Sequence, residues 1–220
     1  MQEQIIIPAL IPVSATALTE QVHSLSFAHE LQIDVVDGEF VPFTSWPYRP
    51  AGAPADLATV LAPHSIEVDL MTVAPVAAGA AWVAAGAERL VFHIETVSVA
   101  ELSDFMSAHP DVSVSVSALN DTSWETMLPY LELVDQVQLM GIAEIGAQGQ
   151  PFDERVLERI QAVRETYSDT TVTIDGSVNE DTIERLITAG ADRLVVGSAL
   201  LQASNLLAQY RYLETLTRPQ

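Results

Sequence analysis

Three carboxylates stand at or near the ends of apolar runs. Asp34 lies in Gln32-Ile33-Asp34-Val35-Val36-Asp37-Gly38, Asp69 in Glu67-Val68-Asp69-Leu70-Met71, and Asp175 in Thr173-Ile174-Asp175-Gly176-Ser177. A lone acid at such a place usually caps a helix or ties a loop. Three of them, each on an apolar run, are costly to bury without compensation. Converging carboxylates are groups that transfer protons, and that is the chemistry this pattern suggests.

Bringing the acids together requires elements that end side by side. Short apolar, β-branched runs predict strands at 5–10, 32–36, 66–70, 89–94, 112–118, 136–140, 171–174 and 193–196. Runs of this kind suit strands covered on both faces. Helix-compatible segments lie between them, at 123–133, at 152–167 with Val156, Ile160 and Val163 on one face, and at 180–189 before Gly190. Eight strand–helix units take roughly 27 residues each, a normal repeat. Ala85-Gly86-Ala87-Glu88-Arg89-Leu90-Val91 returns as Ala189-Gly190-Ala191-Asp192-Arg193-Leu194-Val195, four units later. The expected architecture is a single α/β domain over 1–220, a (β/α)8 TIM barrel with a parallel eight-stranded sheet. Its site would lie at the C-terminal strand ends, with Asp34, Asp69 and Asp175 facing the mouth. An open doubly wound sheet is the rival and would leave two of the eight strands spurious. The Pro-rich stretch 42–54 reads equally as a substrate-covering loop or an ordinary surface loop.

Composition removes several chemistries. Among 220 residues, 30 are acidic and nine basic, all nine Arg, for a net charge of −21. Without Cys there is no thiolate nucleophile or thiolate metal site, and without Lys no Schiff base or P-loop lysine. Strong acidity argues against nucleic-acid and anionic-membrane partners. No apolar run reaches membrane-spanning length and no signal-peptide pattern opens the chain, so a cytoplasmic protein is expected.

The residues of the second strand, Ile33-Asp34-Val35-Val36-Asp37-Gly38-Glu39-Phe40-Val41-Pro42, resemble the ribulose-phosphate 3-epimerase family. The resemblance extends nearly end to end. It includes Ile7-Pro8-Ala9-Leu10, Asp69-Leu70-Met71, Phe92-His93-Ile94-Glu95, Met140, Gly149-Gln150-Pro151-Phe152, Ile174-Asp175-Gly176-Ser177-Val178-Asn179 and Gly197-Ser198. It implies an isomerase that epimerises a ketose phosphate, such as ribulose 5-phosphate or xylulose 5-phosphate, through an enediolate. Asp34 and Asp175 match the family's acid/base pair. Gly176, Ser177, Gly197 and Ser198 match its phosphate-binding turns, and Met71 and Met140 its pocket lining. A small phosphorylated sugar and a homo-oligomer are the implied partners.

This chain also departs from the family pattern. Gln32 and Asp69 stand where the family has two metal-binding His residues. The remaining ligands for a possible divalent metal are then Asp34, Asp69, Asp175 and the Gln32 carbonyl, an oxygen set suited to Mg²⁺ or Mn²⁺ more than zinc. Ala9 replaces a Ser and Val36 a Met. The loop Met140 to Gln150 is one residue longer, lacks the family's Pro-Gly and carries Glu144. His93 reads as a satisfied strand-end histidine, as a replacement ligand, or as a partner that supports a ligand from behind. These departures motivate the alternative, a catalytically impaired or inactive homologue that binds a sugar phosphate or serves a structural or regulatory role. A decarboxylase of the same superfamily is disfavoured by the missing Lys.

Overall fold

The computed structural model describes residues 5–146 and 149–218. The N-terminal Met1 to Gln4 and the loop residues Ala147 and Gln148, both used in the sequence reading, lie outside the described residues. The order is β1 (Ile6–Leu10), α1 (Ala15–Ser24), β2 (Glu30–Val36), α2 (Ala58–Leu61), β3 (Ser65–Met71), α3 (Pro75–Ala84), β4 (Arg89–His93), α4 (Val99–Ala108) and β5 (Ser113–Ala118). There follow α5 (Trp124–Leu131), β6 (Gln136–Met140), α6 (Arg155–Thr166), β7 (Thr171–Asp175), α7 (Ile183–Ala189), β8 (Arg193–Val196), α8 (Ser198–Leu201) and α9 (Leu206–Leu216). All eight expected strands are present. They pair in parallel in chain order, and β8 returns to β1, closing the (β/α)8 barrel and excluding the open sheet.

Local chemistry sets the helix ends. Ser14, Ser98, Ser123 and Asn205 cap the starts of α1, α4, α5 and α9 with side-chain oxygens, and Ser98 forms a reciprocal box with Glu101. The repeated Ala-Gly-Ala motif ends α3 and α7. Gly86 and Gly190 take φ of +101° and +113° there, a left-handed turn that glycine adopts without steric cost. Each turn delivers the chain into β4 or β8.

The main apolar core lies between the barrel wall and the helices. Leu31, Ile33 and Val35 of β2, Ile66, Val68 and Leu70 of β3, and Val137 and Leu139 of β6 belong to it. The alternate residues of these strands face the barrel interior, and many are polar. Gln32 of β2 reaches Asp175 of β7, Gln138 of β6 reaches Asp69 of β3, and Arg193 of β8 reaches Glu67 of β3. Each pair joins strands three steps apart around the ring, so it can form only through the interior. At the N-terminal end Arg193 is 1% exposed and bonds Glu30, Glu67 (3.1 Å) and Thr173 (3.0 Å). Interior apolar packing contracts to Ile7, Ala9 and Val195 on one side, with a second cluster around Val36, Met71 and Met140 at the mouth.

The stretch 42–54 is an anchored loop. Ser45 exchanges hydrogen bonds with the Val36 backbone, and the Trp46 N–H donates to Pro12. Trp46 is buried edge-on against Trp82 of α3, with ring centroids 5.9 Å apart. None of residues 42–54 is among those lining the cavity at the barrel mouth.

Candidate active site

Asp34 near the end of β2 and Asp175 at the end of β7 meet across the mouth. One amide nitrogen, Gln32 Nε2, bridges them, 2.9 Å from Asp34 Oδ1 and 2.8 Å from Asp175 Oδ2. The register Asp34↔Asp69 sets Asp69 beside Asp34, fully buried. Gln138 Nε2 donates to Asp69 Oδ2 at 2.8 Å and lies 3.5 Å from Asp175 Oδ2. His93 Nε2 sits 2.9 Å from the other Asp69 oxygen, and Phe40 packs on its ring at 5.3 Å. Oxygens of Asp34, Asp69 and Asp175 lie within 4.8 Å of one another.

Above this cluster opens a cavity of about 220 Å³. Asp34, Asp175, Met71 and Met140 line it together with Gly176, Ser177, Gly197 and Ser198. Asp69 and Gln32 do not line it; they support its floor. Gly176 (φ +98°) and Ser177 (φ +53°) turn the chain sharply after β7, while Asn179 and Thr182 hold the Ser177 carbonyl. Glu144 is exposed and is not among the residues lining the cavity. Asp37, the other acid of the second-strand motif, clasps loops by accepting from the Glu39, Phe40 and Val73 N–H groups.

Sequence reasoning missed three contributors. Gln138 sat within an assigned strand and drew no role. Gly141 is needed because a Cβ there would collide with the Gly176 carbonyl, and its N–H bonds Asp175 O at 2.6 Å. Asn120 Nδ2 bonds Met140 O (3.0 Å), Ile142 O (3.1 Å) and Asp153 Oδ2 (2.9 Å), tying the loop after β6 to the end of β5. Asn120→Ala is expected to cost about 1–3 kcal/mol of stability and to speed hydrogen exchange in 141–153. Unchanged exchange in that segment would remove Asn120 as its anchor.

Electrostatics follow from burial and crowding. Burial first, then the charges of Asp175 and Asp69, push the Asp34 carboxyl well above the usual range. Burial and the Asp69 charge push Asp175 up to about 7. Burial would lower the His93 imidazole, but the charge and hydrogen bond of Asp69 outweigh it and raise its pKa. These values bear on stability. Below about pH 4 both the native and unfolded chains hold the Asp175 proton, and between pH 4 and 7 only the native chain does. Its contribution is therefore lost as pH rises through 7. In chelator-treated protein, the stability of wild type relative to Asp175→Asn should fall as pH rises from 4 to 8. Urea unfolding at several pH values checks this, and a pH-independent difference would contradict it.

The chain matches the model of the ribulose-phosphate 3 epimerase family over residues 5–201. It belongs to that family. Ribulose-phosphate 3-epimerase of Mycobacterium tuberculosis is 31% identical over 209 residues, covering 91% of this chain and 87% of the relative. Among solved structures, a 3-hexulose-6-phosphate synthase superposes with TM-score 0.73 at 18% identity, covering 98% of this chain and all of the other. The 3-keto-L-gulonate-6-phosphate decarboxylase of Vibrio cholerae gives TM-score 0.72 at 14% identity, covering 99% of this chain and 100% of the other. These two likenesses speak for the fold. Among the described residues, no helix is long and apolar enough to cross a membrane.

The cation implied by the family resemblance can be tested against the donors present. Three carboxylates converge, and Gln32 Oε1 and Gln138 Oε1 are buried without a hydrogen-bond partner among the described residues. Every donor is oxygen. The set therefore fits a hard divalent cation such as Mg²⁺ or Mn²⁺ and is a poor match for zinc.

Proposed function

We propose that this family member epimerises a small phosphorylated ketose by two-base proton transfer. The observation that carries the reading is the facing pair Asp34 and Asp175, both lining one cavity and both with raised pKa. One ionised carboxylate takes the proton from the carbon beside the ketone, leaving a planar enediolate. The other, protonated, returns a proton from the opposite face. Burial and mutual repulsion raise both carboxyls above the usual range, which favours one proton shared between the pair, so that one acid can accept while the other gives. Without a cation, the Gln32 amide holds the pair by donating to one oxygen of each. Backbone N–H groups of the Gly176-Ser177 and Gly197-Ser198 turns supply donors for a phosphate without needing Lys. Met71 and Met140 give the cavity an apolar wall. A divalent cation held by Asp34, Asp69, Asp175 and Gln32 would add positive charge for the enediolate oxygens.

The test is uptake of deuterium from D₂O into ribulose 5-phosphate and xylulose 5-phosphate by the Mg²⁺- or Mn²⁺-supplied enzyme. Interconversion with solvent deuterium at C3 is expected. A second reading, a binding protein without turnover, draws on the Gln32 amide occupying both acids. Saturable binding of the pentulose phosphates with no deuterium uptake would favour it and end the epimerase reading.

A further inference from the structure

Two buried carboxamides in the acid cluster are each half used. Gln32 and Gln138 are both 0% exposed. Each places its Nε2 against two carboxylates: Gln32 against Asp34 and Asp175, and Gln138 against Asp69 and Asp175. The Oε1 of each is buried without a hydrogen-bond partner among the described residues. An unpartnered buried acceptor is unfavourable, and two in one cluster call for an explanation. A half-turn of a carboxamide exchanges oxygen and nitrogen at nearly no change in shape. After that turn, each Gln directs a carbonyl oxygen between the same two carboxylates that its nitrogen now joins. Such an arrangement is repulsive unless a cation stands among the oxygens.

We infer that Gln32 and Gln138 are reversible ligands that complete an all-oxygen site with Asp34, Asp69 and Asp175 for a hard divalent cation of the Mg²⁺/Mn²⁺ class. With the cation bound, both carbonyls turn inward. Without it, both amides turn inward and bridge the acids by donating to them. Gln138 is the new element, brought to the cluster from β6 by its register with Ser117 and Thr173. His93 stays outside the ligand set because its Nε2 is committed to Asp69, whose carboxylate it orients. The site therefore lacks the imidazoles that favour zinc. The inference rests on reading this cluster as the cation-supported centre of the proposed epimerase.

The experiment measures binding directly. Mn²⁺ is titrated into the chelator-treated full chain and followed by calorimetry and by the electron paramagnetic resonance signal of free Mn²⁺. Wild type should bind one Mn²⁺, with zinc affinity within about tenfold of it. Gln138→Leu should weaken Mn²⁺ about tenfold or more, and Gln138→Glu, which keeps an oxygen donor, should retain it. Circular dichroism melts establish that each variant folds. The double variant Gln32→His/Asp69→His should widen the preference for zinc beyond about 100-fold. Absence of Mn²⁺ binding by wild type at millimolar concentration, unchanged Mn²⁺ affinity in Gln138→Leu, or a zinc preference in wild type as wide as in the double variant overturns the inference. Deuterium uptake in the same preparations judges the epimerase reading separately. Uptake without Mn²⁺ binding removes only the cation site, and Mn²⁺ binding without uptake removes only the epimerase assignment.

Discussion

Asp34→Asn and Asp175→Asn are each expected to lower epimerisation by about 10²–10⁴-fold, because each removes one of the two carboxylates proposed to transfer the proton. The two variants should fail differently. An acid on one face of the carbon can still exchange the proton of the epimer that presents it there. Each variant should therefore retain deuterium exchange with one epimer at most, and the retained epimer should differ between them. Asn keeps the size of Asp and can still meet the Gln32 amide, so the loss is chemical and not a collapse of the floor. Mass spectrometry of recovered ribulose and xylulose 5-phosphates reads the result. Exchange with both epimers in either variant would show that the missing carboxylate is not one of two bases.

The second large effect concerns stability at the other end of the barrel. Arg193→Met should destabilise the fold by about 3–5 kcal/mol, measured by urea unfolding. Arg193 is buried and bonds both Glu30 and Glu67, and Arg89 approaches Glu30 only at 3.4 Å and is partly exposed. Removing the guanidinium leaves two acids in a closed interior with their main counter-charge gone. Adding Glu67→Gln to Arg193→Met should recover part of the loss, since one of the stranded charges is then absent. A cost below about 1 kcal/mol for Arg193→Met would mean that water reaches this end of the barrel and screens the acids.

The barrel was legible because its signals are local. Each strand is a short run, and the twin Ala-Gly-Ala turns mark the starts of β4 and β8. The acids Asp34, Asp69 and Asp175 were legible because each sits on an apolar run. The polar interior was harder to read. Glu-Leu-Gln-Ile-Asp-Val-Val, Ser-Val-Ser-Val-Ser-Ala and Gln-Val-Gln-Leu-Met do alternate polar and apolar residues. Strands of a parallel barrel are expected to be apolar on both faces, so that alternation carried no assignment. Gln138 and Arg193 acquire meaning only from partners on distant strands. Gln32 was noticed as a departure from a His, but its contact with Asp175, 143 residues away, follows from closure alone.

Those separations have a kinetic consequence. Gln32–Asp175, Glu67–Arg193 and Glu30–Arg193 span 143, 126 and 163 residues, whereas strands consecutive in the chain pair over a few tens. Contacts across such distances, like the β1–β8 pairing that closes the ring, bear a large chain-closure entropy and form late. A chain with its first six strands assembled would already hold Asp34, Asp69 and both glutamines, yet the two groups proposed to transfer the proton would not have met. Recovery of deuterium uptake during refolding is thus a clock for the last closure of the barrel, one that helix content would run ahead of.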